Sequence, residues 1–338
     1  MNLPLAILTI RWSVRDTFLQ ALSSGILWLM LSVSALCIIF CLSVGVNGAA
    51  ELRHADGPSE FLPRKHPWDK SATPGANAGV DVVSGELTLA FGAMRLPLGR
   101  DAEDAVRFLQ VLLAEGVAGA AGLLLALIWT AGFLPTFLEP GAAAVMFSKP
   151  VPRWWLLMGK YLGVLAFVGF QATVFVGGTW AALGLATGWW IPEYLLCIPA
   201  LVLQFAIMYS ASVLLATCTR SAMACVLGSV LFWFFCWGLN YGRHVVVTMS
   251  YLDAETSPLP SGFQTLVETV YWVLPKPADF NILFQRMLHA SDFNSSIPVF
   301  ETIQQINGFH AELSILSSCL FALALLIVAA RELVMTDY

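Results

Sequence analysis

Six stretches of this chain are apolar for long enough, as helices, to cross a bilayer, and that one feature confines it to a membrane. They fall at 25–46, 112–135, 155–187, 194–217, 221–242 and 312–331. A helix rises ~1.5 Å per residue, so roughly 20 apolar residues span ~30 Å of hydrocarbon. It also satisfies its backbone polar groups within its own segment, as lipid demands. Charged residues make up 12% of the chain, about half the share in an ordinary soluble domain. The fold class that follows is an all-α polytopic membrane protein with six transmembrane helices. The run from Gly25 to Val46 is too long for the ~7–15-residue core of a cleaved signal peptide, so a retained span is expected.

Orientation follows from positive charge near the span ends. With the N-terminus inside, the cytoplasmic positions carry Arg11, Arg15, Lys149, Arg153, Lys160, Arg220 and Arg331, whereas the short external turn "TGWWIPEY" has neither Lys nor Arg. The inverted topology leaves every short inner connection without positive charge. Both termini are therefore expected in the cytoplasm. The chain divides into an N-terminal helix over 1–24, the first span at 25–46, an extracytoplasmic loop at 47–105, and a bundle over 106–338. Within that bundle, 136–154 is a cytoplasmic connection and 243–311 a second extracytoplasmic loop.

In the N-terminal segment Ile7, Ile10, Val14, Phe18 and Ala21 share one helical face, and Thr9, Ser13, Asp16 and Gln20 the other. This pattern predicts an amphipathic helix lying in the inner interface. In the first loop "VDVVSGELTLAF" alternates around Ser84-Gly85, which predicts a small β-hairpin there. Asp101 begins a helix that continues into the second span, with Glu115 near its outer end. In the second loop Leu266, Val267, Val270, Tyr271 and Leu274 form a helical stripe ended by Pro275, and a second short helix starts near Pro277.

Catalytic patterns are missing. His54, His66, His244, His289 and His310 are scattered, read as external surface residues, and form no HExxH; there is no Walker A sequence and no GxSxG. The seven cysteines lie in apolar runs with no CxxC pair, so no metal site is expected. No span carries a charge at its centre, which argues against a proton- or sodium-coupled transporter. Polar residues inside spans are amides and hydroxyls, and Gln171, Thr173, Gln204, Ser212 and Asn240 are the candidates for lining a translocation path. GxxxG spacings at 159–163, 184–188 and 238–242 allow close helix approach.

One connection is unusually dense in signals: "LEPGAAAVMFSKPVPRWWLLMGKYLG", Leu138 to Gly163. Glu139-Pro140-Gly141 ends one helix, Ala142 to Phe147 offers a short apolar one, and Pro150 and Pro152 break the chain again before the third span. Trp154 and Trp155 sit at headgroup level, and Lys160 is placed to snorkel toward phosphates. Ordinary anchoring explains Arg153 and the tryptophans, but not two breaks bracketing a short helix.

This stretch resembles the signature of type-2 ATP-binding-cassette (ABC) permeases. The matching positions are Glu139, Gly141, Ser148, Lys149, Pro150, Arg153, Gly159 and Lys160, and "YWVLPKPADFN" at 271–281 is similar to a further family segment. The resemblance implies that the inner connections dock on a separate ABC ATPase subunit. Glu139, Gly141, Ser148, Lys149, Pro150, Arg153 and Lys160 would form the main coupling element, and Arg220 a second contact. It implies a second permease copy or paralogue, an exporter working by alternating access, and ATP and Mg held by the partner ATPase, with no cofactor on this chain and no nucleic acid. The competing reading is a membrane scaffold or assembly protein that works through its extracytoplasmic loops without transport. A membrane enzyme is the least supported class.

Overall fold

The computed structural model describes residues 3–47, 52–54, 80–82, 85–89, 91–98, 102–138, 152–252, 261–289 and 309–335. The chain begins with α1 (Leu3–Ser23) and α2 (Ile26–Leu42), bent by 75° relative to each other. The bend falls at Gly25, whose φ of 73° is left-handed and suits glycine. The second span runs through α3 (Ala102–Leu112), a π-helical segment (Leu113–Gly122), α4 (Leu123–Thr130) and α5 (Phe133–Phe137). Then follow α6 (Arg153–Thr187), a 3₁₀ turn (Pro192–Leu196) with α7 (Cys197–Thr219), α8 (Ala222–Leu252), α9 (Ser261–Val273), α10 (Pro277–Met287) and α11 (Ala311–Met335). Among the described residues five helices are long and apolar enough to cross a membrane, or six if the bent α1–α2 pair forms one span. The protein is an all-α polytopic membrane protein.

Packing places α7 at the centre. Of its apolar window 61% is buried, against 22% for α8 and 28% for α11, so those two turn most of their surface to lipid. The core joins Phe205, Tyr209 and Ala216 of α7 to Leu157, Phe167 and Val176 of α6 and Leu127 of α4. Long side chains such as Trp28, Leu36, Leu231 and Leu320 point outward, as a lipid-facing surface requires.

Five short strands follow α2: β1 (Gly45–Asn47), β2 (Leu52–His54), β3 (Val80–Val82), β4 (Gly85–Leu89) and β5 (Met94–Leu98). The first loop does hold a β-hairpin, but not around Ser84-Gly85. There β3 pairs antiparallel with β2, while β4 joins β1 on one edge and β5 on the other. The hairpin is β4–β5, and Phe91 (φ 57°) and Gly92 (φ 90°) supply its turn. Two successive positive φ values match the twist of a tight hairpin better than Ser-Gly does.

The amphipathic helix α1 packs along α6. Thr17 and Ala21 are fully buried there, Phe18 meets Phe167 edge-on at 5.6 Å, and Trp12 and Leu19 are exposed. Of its apolar face Phe18 and Ala21 turn to the bundle, while Asp16 of the polar face is exposed and Gln20 reaches Lys160 of α6. α8 runs ten residues beyond the expected end at 242, which removes Arg243 and His244 from the second loop.

The two membrane faces are distinguishable by contact. Lys160 of α6 bonds Asp16 of α1 at 2.8 Å, and Arg153 Nη1 donates to Leu333 O of α11 at 3.4 Å. The N-terminal helix, the start of α6 and the end of α11 thus share one face, which is the basic one. The small sheets, α9 and α10 lie at the other ends of the spans.

Candidate functional site

The basic face is built around the first two turns of α6. Pro152 caps this helix with extended backbone (φ −56°, ψ 134°), because its ring fixes φ and its missing N–H costs a helix start nothing. Arg153 is the first helical residue. A cation is unfavourable at a helix N-terminus, but its guanidinium reaches Leu333 O in the last turn of α11, where carbonyls lack intrahelical partners. One residue therefore ties the beginning of the third span to the end of the last.

Lys160 does not reach for headgroups. Its ammonium is 2% exposed and donates to Asp16 Oδ2 and Gln20 Oε1, both at 2.8 Å, with the rings of Phe133 and Phe137 about it at 5.9 and 6.0 Å. Beside it Gly163 lets α1 come close: a Cβ there would stand 2.7 Å from Thr17 Oγ1 and 3.0 Å from Ser13 O. The GxxxG at 159–163 thus seats the N-terminal helix on the third span. Arg220 ends α7 with a left-handed φ of 53° and donates its N–H to Ala216 O at 3.0 Å. Glu139, Gly141, Ser148, Lys149 and Pro150 lie outside the described residues.

The five expected path residues do not form one lining. Gln171, buried on α6, donates from Nε2 to Met30 O at 2.9 Å and to Ser34 Oγ at 2.7 Å, and its Oε1 has no partner among the described residues. Gln204, buried on α7, reaches Gly119 O at 3.4 Å. Ser212 is buried on the same helix. Thr173 faces outward and bonds Gly169 O one turn back. Asn240 belongs to a different constellation, near the opposite face. Gln171 borders an apolar cavity of about 130 Å³ between α2, the second span, α6 and α7.

The second span carries its own irregularity beside Gln204. At Gly119 a Cβ would meet Ala114 O at 2.8 Å, so the π-helical turn needs glycine there. Glu115 lies in the same segment, and Gln285 of α10 bonds its side chain.

The opposite face holds a constellation that sequence reasoning dispersed. Asp279 of α10, 3% exposed, accepts hydrogen bonds from Asn240 Nδ2 (3.0 Å), Tyr271 OH (2.8 Å) and Ser314 Oγ, and its Oδ1 lies 2.6 Å from His244 Nε2. Its own N–H donates to Asn240 Oδ1 at 3.1 Å. Burial opposes the charge, but the bond and charge of His244, then Ser314 and Asn240, outweigh it and hold the carboxyl below the usual range. His244, read as a surface histidine, is fully buried. Lys276 stands 4.8 Å over the Tyr271 ring, and desolvation, aided by Arg243 and opposed by Asp279, brings its ammonium down to about 8. At the far end of α10, Arg107 Nη1 donates to Leu288 O at 2.9 Å. α10 is thus pinned at both ends against the π segment, α7, α8 and α11. No single residue announces this site, because its members come from α8, α9, α10 and α11 and meet only in the fold.

A family model described as "ABC-2 family transporter protein" matches residues 18–335. No curated protein matches the chain. The matched region runs from the later part of α1 to the last turn of α11 and takes in Arg153, Lys160, the cavity and the Asp279 constellation, so the chain belongs to the ABC-2 family of transporter proteins, a membrane permease component of an ABC transporter.

Proposed function

We propose that this chain is the membrane-spanning half of an exporter, in which a separate ABC ATPase moves the segment 139–152 and thereby the helices that follow it. The observation that carries this reading is the wiring of α6. The chain leaves that segment straight into a helix bonded to α1 through Lys160 and to α11 through Arg153. A displacement of the connection would therefore be passed at once to the first and the last helix of the chain. Arg220 at the α7–α8 turn adds a second cation for an ATPase to meet. Two permease chains, identical or paired, would face two ATPases, which hold the ATP and Mg. Absence of a charged residue at the span centres among the described residues supports an energy source outside the chain.

A tagged purification in mild detergent tests it. A stoichiometric ATPase is expected to accompany the wild-type protein, and Glu139→Lys should reduce it at least tenfold with unchanged thermal unfolding. Glu139 suits the test better than Arg153, whose change would also uncap α11. A well-folded preparation without any ATPase would overturn the proposal and favour a scaffold acting through the loops.

A further inference from the structure

We infer that the tip of the β4–β5 hairpin, Phe91 to Met94, is a contact surface for the bilayer, and that Phe91 and Met94 insert into the leaflet opposite the basic face. The inference rests on the small sheet and does not depend on coupling to an ATPase.

The sheet starts at the membrane. α2 ends at Leu42 and β1 begins at Gly45, so Ser43 and Val44 alone separate a lipid-crossing helix from a strand. β1 leads away from the bilayer. β4 lies antiparallel to it, with Asn47 opposite Glu86 and Gly45 opposite Thr88. β4 therefore runs back toward the bilayer, and its turn with β5 falls at the end nearer the lipid. A hydrogen bond fixes the level of that turn: Phe91 N–H donates at 3.1 Å to the carbonyl of Ser43, the C-cap of α2. Gly45 keeps the strands close. Thr88 Oγ1 donates to Gly45 O at 2.9 Å, and a Cβ on Gly45 would stand 2.6 Å from that hydroxyl oxygen.

The chemistry of the tip suits hydrocarbon. Phe91, Gly92, Ala93 and Met94 are all exposed, and none carries a polar side chain. Phe91 is 80% exposed and Met94 58%, and no large apolar side chain among the described residues is more exposed than Phe91. The next in order, Leu185 and Leu36, stand on spans. Exposed apolar patches mark contact surfaces. Turn geometry does not select phenylalanine, because a φ of 57° is costly for a bulky residue and freely reached by glycine. Packing does not select it either, since the ring is turned out. The occupant is lipid, because the outward side chains of the last turn of α2, Ile39, Phe40 and Leu42, already meet it. Phe91 continues that surface one hydrogen bond beyond the helix end.

The test uses the full-length chain in lipid nanodiscs, with a nitroxide on a single cysteine in a cysteine-free background. Phe91→Cys and Met94→Cys report the tip, Leu36→Cys gives the lipid reference and Thr269→Cys the aqueous one. Two relaxants are compared, oxygen, which concentrates in hydrocarbon, and a water-soluble nickel chelate. Both tip labels are expected to respond more to oxygen than to nickel, as Leu36→Cys does, reversing the order found at Thr269→Cys. Met94→Cys keeps Phe91 in place and so reads the intact tip should Phe91→Cys disturb the turn. Nickel dominating at Met94→Cys would place the tip in water and overturn the inference. Exclusion of both relaxants there would also overturn it, since protein, from the rest of the first loop or from a second copy, would then cover the tip.

Discussion

Lys160 and Asp16 form an ion pair whose two ends differ, and the difference predicts an asymmetric response. The ammonium is 2% exposed and the carboxylate 53%. Asp16→Ala leaves a buried cation with Gln20 Oε1 alone and should destabilise by about 1–3 kcal/mol. Lys160→Met leaves Asp16 in contact with water and replaces a buried charge by hydrocarbon, so it should cost under ~1 kcal/mol. Thermal unfolding of the two variants decides, and a larger loss from Lys160→Met would show that the pair is not buried as described. Lys276 gives a pH signature. Its ammonium is brought down to about 8 when folded, against ~10.4 free. Between those values the unfolded chain binds a proton that the folded chain does not, so stability rises with pH over that window. Above about pH 10 the trend reverses, because burial and Asp279 push the Tyr271 phenol up in the folded state. Melting temperatures measured from pH 7.5 to 10 should climb for the wild type relative to Lys276→Met.

At the scale of elements, Gly163 decides how α1 meets α6. A Val there would place carbon against Thr17 Oγ1 and Ser13 O, backbone and a buried hydroxyl that cannot both withdraw. Gly163→Val should cost about 1–3 kcal/mol and raise protease cutting within residues 11–23, whereas Gly177→Ala, with open space around it, should do neither. The spans were legible in the sequence because hydropathy is a local property and the lipid enforces it segment by segment. The partner of α1 was not, because Lys160 lies about 140 residues further along the chain and meets Asp16 and Gln20 only in the fold. The hairpin was misplaced for a related reason. Alternation in 80–90 is real, but which edge each strand takes depends on β1 and β2, far back in the chain. The candidate coupling residues came from a resemblance carried by one local motif, while the Asp279 constellation spreads from residue 240 to 314 with no spacing rule to reveal it.

For the whole molecule, the contacts sort the termini and the second loop onto opposite faces. In a cysteine-free background Ser23→Cys and Thr269→Cys, both exposed, should react with an impermeant maleimide from opposite sides of sealed vesicles. Reaction of both from one side would refute the topology. The same contacts have a mechanical meaning. α1 is fastened to the beginning of α6 by Lys160 and Gly163, α2 leans on the later part of α6 where Ile38 abuts Gly178, and the elbow at Gly25 joins α1 to α2. Three members fastened at three corners make a truss, and a truss does not shear. A push on the start of α6 therefore cannot be absorbed inside this triangle, and whatever yields must yield along its open side, the seam against the second span.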